Sequence, residues 1–335
     1  MSKRRLTRRQ AWRINKVQEE RAQRAQRRET RTPALLEDNT LGPEQTGLLI
    51  AHFGTQVEIE AEDGSRQRCH LRANLGDLVA GDQVVWRDGS LGAVIVAVLP
   101  RKSLLSRPDR YGRLKPVAAN IDRIVVVVAV APQPHATLID RYLVAAESVG
   151  IEPAIVLNKA DLIDAAHRPG FDDLLAPYRR IGYTVLEAST HTDQGLSDLR
   201  TALASWTSVF VGQSGVGKSS LVNALLPGTD TRTGPLSEQS GLGRHTTTTA
   251  RLFHFPSGGQ LIDSPGIREF GLWHMDREQL LLGFREFRPF LGHCKFRDCR
   301  HQQDPGCALR AAVASGDIHP RRLASFEQIA AELEV

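Results

Sequence analysis

Cysteine and long apolar runs are scarce in this sequence of 335 residues. Only four cysteines occur, and three of them lie between positions 294 and 307, so they do not resemble the dispersed disulfide framework of a secreted protein. No apolar run approaches the roughly 18 residues that a membrane span needs, and the first residues lack the apolar core of a signal peptide. These absences predict a cytoplasmic protein that does not bind membranes.

Positive charge is concentrated at the N-terminus. Residues 1–31 hold twelve Lys and Arg against three Glu, a local charge of +9, while the whole chain carries +5, so the rest sums to −4. Such a run can be a solvated, disordered leader, and it can also be an arm that binds RNA phosphates by releasing counterions. The two accounts are compatible, because such an arm would be disordered until it meets RNA. We predict a basic, disordered arm over residues 1–45.

Short alternating apolar runs separated by turn signals follow from residue 46 to residue 102. Five strands in such a short segment favour a small closed barrel of the OB type. Cys69 lies in one of these strands, and we expect it to be a packing residue.

Residues 103–275 begin with a polar connector and then alternate between strand and helix patterns. Residues 124–130 form a nearly unbroken β-branched run, which is typical of a strand buried on both faces of a parallel sheet. The alternation predicts a doubly wound α/β domain that binds its ligand at the carboxyl ends of the strands.

A glycine-rich turn joins the strand that starts at Ser208 to a helix, and it has the pattern G-x-x-x-x-G-K-S. Glycines let successive backbone N–H groups curl around phosphate oxygens, and the helix N-terminus adds free N–H groups. We expect Lys218 to reach the β- and γ-phosphates and Ser219 to ligate Mg²⁺. The predicted phosphate-binding residues are Gly212, Gln213, Ser214, Gly215, Val216, Gly217, Lys218, Ser219 and Ser220.

The strand before position 158 ends in Asn158, Lys159, Ala160 and Asp161. A carboxylate at Asp161 can accept hydrogen bonds from both N1–H and the exocyclic amine of guanine, a donor pair that adenine lacks. We expect Asn158 and Lys159 to brace the loop and cover the base. A later strand ends near Ser189, where backbone N–H groups are candidates to meet the guanine oxygen.

A third strand leads into Asp263-Ser264-Pro265-Gly266. We expect Asp263 to hold Mg²⁺ through water and the Gly266 N–H to sense the γ-phosphate. The polar segment over 240–249 favours a mobile switch that lends a Thr hydroxyl to Mg²⁺, although an ordinary flexible loop has the same composition. Many GTPases orient the attacking water with a Gln after D-x-x-G, but Ile267 stands there, so His245 is our candidate catalytic residue. The alternative is that His245 contacts RNA or packs.

The guanine motif precedes the phosphate loop by about fifty residues, the reverse of the usual GTPase order. A circular permutation explains this order without altering the site, because a compact α/β domain with neighbouring termini can be reopened elsewhere.

Three cysteines and one histidine lie within fourteen residues of each other near the C-terminus, in residues 276–335. Three thiolates and an imidazole form a closed tetrahedral set, which predicts one structural Zn²⁺. The spacing is not that of a DNA-reading finger, and we expect no DNA partner. The proposed ligands are Cys294, Cys299, His301 and Cys307.

The combination of motifs resembles the bacterial small ribosomal subunit-dependent GTPase family, known as RsgA, YjeQ or EngC. The resemblance covers residues 46–335 and rests on NKAD, GQSGVGKSS, GRHTTT, DSPGI and the C-x4-C-x-H-x5-C pattern. It implies GTP hydrolysis stimulated by the 30S subunit, contact with 16S ribosomal RNA and a late role in small-subunit assembly. The arginine-rich N-terminal extension is a variable part of such proteins.

Two functions of different classes remain open at this point. The first is an enzyme, a monomeric GTPase that checks or releases a maturing small subunit. The second is an RNA-binding assembly module in which GTP stabilises one conformation and turnover is incidental. An ATP-using P-loop enzyme is disfavoured by Asp161.

Overall fold

The computed structural model describes residues 41–72, 75–90, 92–109, 111–192, 194–227, 250–264, 267, 271 and 275–333. Most of the predicted basic arm, the predicted switch with His245, and Gly266 lie outside the described residues. The chain divides into two compact units. One comprises the chain up to Asp77 together with Gln83–Leu99, and the other comprises Leu78–Asp82 together with Pro100–Val335.

The first unit is a five-stranded barrel. Its strands are β1 (Glu44–Phe53), β2 (Gln56–Ala61), β3 (Arg66–Leu71), β4 (Gln83–Arg87) and β5 (Ala93–Val98). They pair in the order β1-β2-β3-β5-β4, and β4 also pairs with β1, which closes the barrel. Alternate side chains such as Val57, Ile59 and Val84 are fully buried inside it. The barrel predicted from the alternating runs is confirmed.

Cys69 on β3 is also fully buried. Burial raises the pKa of its thiol to about 12, so the thiol stays protonated and unreactive. It is a packing residue, as expected.

A β-hairpin opens the second unit, formed by β6 (Leu104–Pro108) and β7 (Leu114–Ala119). The sequence predicts a polar connector here, and that prediction was wrong. Pro108 lies within β6 and Pro116 within β7, and the pairing register of the two strands shifts between Leu105 and Ser106. The alternation of apolar residues that identifies a strand is therefore broken.

The main sheet of the second unit has six strands in the order β10-β9-β8-β11-β13-β12. All neighbouring pairs are parallel except β12 with β13. The strands are β8 (Arg123–Ala129), β9 (Glu152–Asn158), β10 (Thr184–Ala188), β11 (Thr207–Val211), β12 (Arg251–His254) and β13 (Gln260–Asp263). The fully buried valines of β8 explain its unbroken apolar run, because both of its faces are covered.

Four helices connect these strands. They are α1 (Ala136–Ser148), α2 (Arg168–Ile181), α3 (Ser197–Leu203) and α4 (Lys218–Leu225), with short 3-10 helices at Ala160–Leu162 and Gln194–Leu196. Leucines of α3 and α4 share one hydrophobic core with Val125, Val127 and Phe210 of the sheet, a core to which α1 and α2 contribute no residue. Helices therefore cover both faces, and the predicted doubly wound domain is confirmed.

The C-terminal segment is helical and loop-rich. It contains α5 (Arg277–Gly283), a 3-10 helix at Arg285–Phe290, α6 (Ala308–Ser315) and α7 (Pro320–Leu333). Its core is built on Phe284, Phe287 and Phe326, whose rings pack with centroids 4.7–5.9 Å apart. Val144 of α1 belongs to the same core, so the C-terminal helices and α1 of the α/β domain share buried surface.

Within the described part of the chain, no helix has the length and apolar content to cross a membrane.

Candidate functional site

The glycine-rich turn follows β11, in the middle of the parallel sheet, and leads into α4. Gly212, Gly215 and Gly217 all adopt positive φ angles of 136°, 82° and 91°. A Cβ at Gly212 would collide with the Val127 carbonyl, and one at Gly217 would collide with the Asn158 side chain. Glycine is therefore needed at both positions, for conformation and for space.

The guanine motif contacts this turn directly. Asn158 ends β9, is 2% exposed, and donates from Nδ2 to the Val216 carbonyl at 2.8 Å. Lys159 has a φ of 59° and donates from Nζ to Gly215 O at 2.8 Å and to Ala131 O at 2.5 Å. The two motifs are more than fifty residues apart in sequence, and these bonds brace the phosphate loop against β9.

The carboxylate expected to recognise guanine is oriented by a neighbour. The Ser189 hydroxyl, after β10, donates to Asp161 Oδ1 at 2.5 Å. The Ser189 N–H donates to Gly195 O at 3.0 Å, so it is already engaged. The next N–H, that of Thr190, has no acceptor among the described residues and is the better candidate to meet a base oxygen. The sequence points to backbone N–H groups near Ser189 for this contact, and in the structure the Ser189 hydroxyl is bonded to Asp161.

Lys218 and Asp263 lie at the same edge of the sheet, because β11 and β13 are parallel. Lys218 comes after β11, and Asp263 ends β13. Lys218 begins α4, and its ammonium donates to Gly212 O at 2.7 Å and to Gln213 O at 2.6 Å. Ile267 is 2% exposed, so its side chain packs in the core. Ser219 is the second residue of α4 and is partly exposed.

These residues fit a bound guanine nucleotide with Mg²⁺. Oδ1 of Asn158 is a buried acceptor without a hydrogen-bond partner in the described part of the chain. Buried acceptors are seldom left unpaired, which indicates that a ligand donor completes the site. The chemistry of the donor set agrees, because a lysine and a serine hydroxyl stand at a helix N-terminus.

The four predicted zinc ligands come together at the C-terminus, with ligand atoms all within 4.8 Å of one another. His301 Nδ1 lies 3.5 Å from Cys294 Sγ, 3.6 Å from Cys299 Sγ and 3.5 Å from Cys307 Sγ. Zn–S and Zn–N bonds of ordinary length at tetrahedral angles give an S–N edge of about 3.6 Å. His301 Nδ1 therefore lies at the distance from each of the three sulfurs that a tetrahedral Zn²⁺ requires.

The surroundings of these ligands support the same conclusion. Desolvation raises the pKa of the Cys299 thiol to about 12, with Cys294 and Cys307 adding to the shift, so a thiolate at Cys299 is favoured beside a cation. Burial, and then the charge of Arg277, lower the pKa of His301, which favours the neutral imidazole that binds a metal. The Ala308 N–H donates to Cys294 Sγ at 3.3 Å, an outer contact of the kind that orients metal-binding thiolates.

A buried charge network joins the C-terminal helices to α1 and α2. Arg322 of α7 is 1% exposed and contacts Asp140 of α1, which is fully buried. Arg322 also binds Glu286 through Nε at 2.6 Å and Nη2 at 3.1 Å, while Tyr178 donates to Asp140 Oδ1 at 2.7 Å. Burial opposes the charge of Arg322, but Asp140 and Glu286 outweigh it and raise its pKa. No sequence pattern indicates this network, because single charged residues in amphipathic helices look like surface residues.

Comparison with known proteins identifies the family. A family model described as RsgA GTPase matches residues 98–273. The small ribosomal subunit biogenesis GTPase RsgA of Azotobacter vinelandii is 63% identical, covering 99% of this chain and 98% of that protein. The protein of the same name from Pseudomonas aeruginosa PAO1 is also 63% identical, with the same coverage. This chain belongs to the RsgA GTPase family.

Solved structures agree with that assignment. YjeQ from Thermotoga maritima superposes with a TM-score of 0.73 at 32% identity, covering 87% of this chain and 99% of that one. YloQ, described as a circularly permuted GTPase, gives a TM-score of 0.70 at 28% identity, covering 89% and 96%. The predicted family, the permuted fold and the GTPase activity are confirmed, and the enzyme is a hydrolase acting on GTP.

Proposed function

We propose that this GTPase acts in the cytoplasm in late assembly of the small ribosomal subunit, and that the 30S subunit stimulates its hydrolysis of GTP. The observation that carries the proposal is the contact between the guanine motif and the phosphate loop through Asn158, with Asp161 oriented by Ser189. The name shared by relatives at 63% identity supports the small subunit as partner.

In this proposal the base is recognised by a carboxylate held ready before binding. Asp161 would accept from the two guanine donors, and the Ser189 bond would keep it from rotating away. Lys159, held by Gly215 O and Ala131 O, would cover the base, and Ala160 would form the loop beneath it. Adenine lacks this pair of donors and would leave the Asp161 carboxylate without its partners, so ATP would be rejected.

The phosphates would be held by the turn from Gly212 to Ser220. Bound GTP with Mg²⁺ supplies the anhydride that is hydrolysed. Lys218 would leave its two loop carbonyls for the β- and γ-phosphates, and Ser219 and Asp263 would hold the metal. Gly266 remains our candidate for sensing the γ-phosphate.

The side chain that activates the attacking water would lie outside the D-x-x-G motif. Because the side chain of Ile267 is apolar and buried, it cannot orient a water molecule. We propose His245 as the catalytic residue, acting only when the 30S subunit is bound. Intrinsic turnover would then be slow.

Zn²⁺ held by Cys294, Cys299, His301 and Cys307 would have a structural role, since all four tetrahedral positions are filled by protein. Contact with 16S rRNA would involve the basic residues 1–31 and the barrel, where β3 presents Arg66 and Arg68 to solvent. We propose a monomer.

The proposal is tested by measuring GTP hydrolysis with purified 30S and 50S subunits in parallel. We expect the rate to rise with 30S and to stay at the basal value with 50S. An RNA-binding module with incidental turnover would show no rise with either. That result, or an equal rise with both, would contradict the proposal.

A further inference from the structure

We propose that Phe296, exposed on the loop between two zinc ligands, is a stacking platform for an unpaired RNA base. The inference rests on the proposed function, because it takes ribosomal RNA as the partner of this protein, and it adds a contact in the C-terminal segment. It goes further in naming the chemistry that is recognised, which is the face of a base outside a duplex.

The Phe296 side chain is 45% exposed although it is large and apolar. The other described aromatic residues of the C-terminal segment behave differently. Phe284, Phe287 and Phe326 are fully buried in the shared core, and Phe290 packs against it. Phe296 is not part of that core. Its ring therefore contributes little to folding of the segment and is available to a partner.

The loop that carries the ring is fixed on both sides. Cys294 and Cys299, which flank residues 295–298, both belong to the four-ligand cluster. At the start of the loop the Lys295 N–H donates to Gly306 O at 3.0 Å. Gly306 has a φ of 74°, and a Cβ there would press on the Lys295 side chain, so the backbones pack closely. A ring on so constrained a loop loses little entropy on binding, which favours affinity.

One cation lies at the ring, and two more are close to it in sequence. The Lys295 ammonium lies 5.4 Å from the Phe296 centroid, and Arg297 and Arg300 are exposed. Asp298 is the only carboxylate between the two arginines. An aromatic face bordered by cations binds single-stranded RNA, since bases stack on the ring while the cations meet the phosphates. Paired bases inside a duplex have no free face, so the platform would select unpaired bases.

The test uses the full-length protein with zinc and three variants, Phe296→Leu, Phe296→Tyr and Phe296→Trp. Leucine keeps the apolar character but cannot stack, whereas tyrosine and tryptophan keep a stacking ring. The probes are a single-stranded adenosine oligonucleotide of about 12 nucleotides and an RNA duplex of the same length, at one salt concentration. Zinc per chain is measured for every variant.

We expect Phe296→Leu to weaken binding of the single strand by about fivefold or more and to leave duplex binding unchanged. Both aromatic variants should retain wild-type affinity, and zinc content should not change. Four results would overturn the proposal: unchanged single-strand affinity in the leucine variant, an equal loss on the duplex, failure of the aromatic variants to rescue, or loss of zinc from the leucine variant.

Binding of the same proteins to 30S subunits separates this inference from the proposed function. If the wild-type protein neither binds nor responds to 30S, the proposed function fails. If it does respond, and Phe296→Leu loses 30S binding without losing single-strand affinity, the ring contacts a ribosomal protein and only the present inference is wrong.

Discussion

Replacing Arg322 by methionine tests whether the buried charge network holds the C-terminal helices on the GTPase domain. Arg322 bridges α7 to Asp140 of α1 and to Glu286, and all three side chains are at most 9% exposed. Methionine fills most of the volume but removes the charge. Asp140 then keeps only its bond from Tyr178, and its Oδ2 already lacks a partner among the described residues.

The expected loss of stability comes from the carboxylates of Asp140 and Glu286, which stay buried without their cation. Breaking a buried ion pair by removing one partner costs about 3–5 kcal/mol, because the remaining charge stays desolvated. For domains of this size each kcal/mol lowers the melting temperature by roughly 2–4 °C, so a fall of about 6–20 °C is expected.

The matched control is Arg141→Met. Arg141 and Glu332 form an ion pair between the same two helices, α1 and α7, but their side chains are 30% and 48% exposed. An exposed pair contributes only about 0–1 kcal/mol. Thermal unfolding of both variants, followed by circular dichroism at one pH, makes the comparison. Equal shifts in the two variants, or a shift below about 2 °C for Arg322→Met, would refute the reasoning.

Three further predictions concern the metal, the arm and catalysis. Replacing Cys299 by serine should remove zinc and weaken 30S binding while GTP affinity is largely kept; freshly purified wild-type protein without zinc, measured by metal analysis, would contradict the metal site. Deleting residues 2–31 should leave intrinsic hydrolysis unchanged but lower RNA affinity and flatten its salt dependence, because twelve cations are removed; an unaltered slope would mean that the arm is only solvated. His245→Ala should abolish most of the 30S-stimulated rate with little effect on GTP affinity or on the basal rate, as measured by single-turnover hydrolysis. Full stimulation of the variant at saturating 30S, or loss of 30S binding in proportion to activity, would show that His245 packs or contacts RNA.

Much of the α/β fold could be predicted because its signals are local. The β-branched run of β8 marks a buried strand, and the apolar spacing of residues 320–333 marks the helix α7. The hairpin of β6 and β7 gave no such signal. Two prolines and a register shift removed the alternation that identifies a strand.

The contacts within the site were only partly predictable. Parallel strands bring their carboxyl ends to one edge, so the approach of Asp161 to Ser189 follows from topology. The engagement of the Ser189 N–H by Gly195 O does not, because it depends on how one loop closes. The Arg322 network depends on the packing of helices far apart in sequence, which no local pattern encodes.

The central claim, a guanine site built on an oriented carboxylate, is tested most directly by nucleotide affinities of Asp161→Asn. The amide would present a donor to the oxygen that xanthine carries in place of the guanine amine. We predict that binding of GTP weakens and binding of xanthosine triphosphate improves, measured by titration of the purified variant and the wild type with both nucleotides. An unchanged preference for GTP would contradict the account.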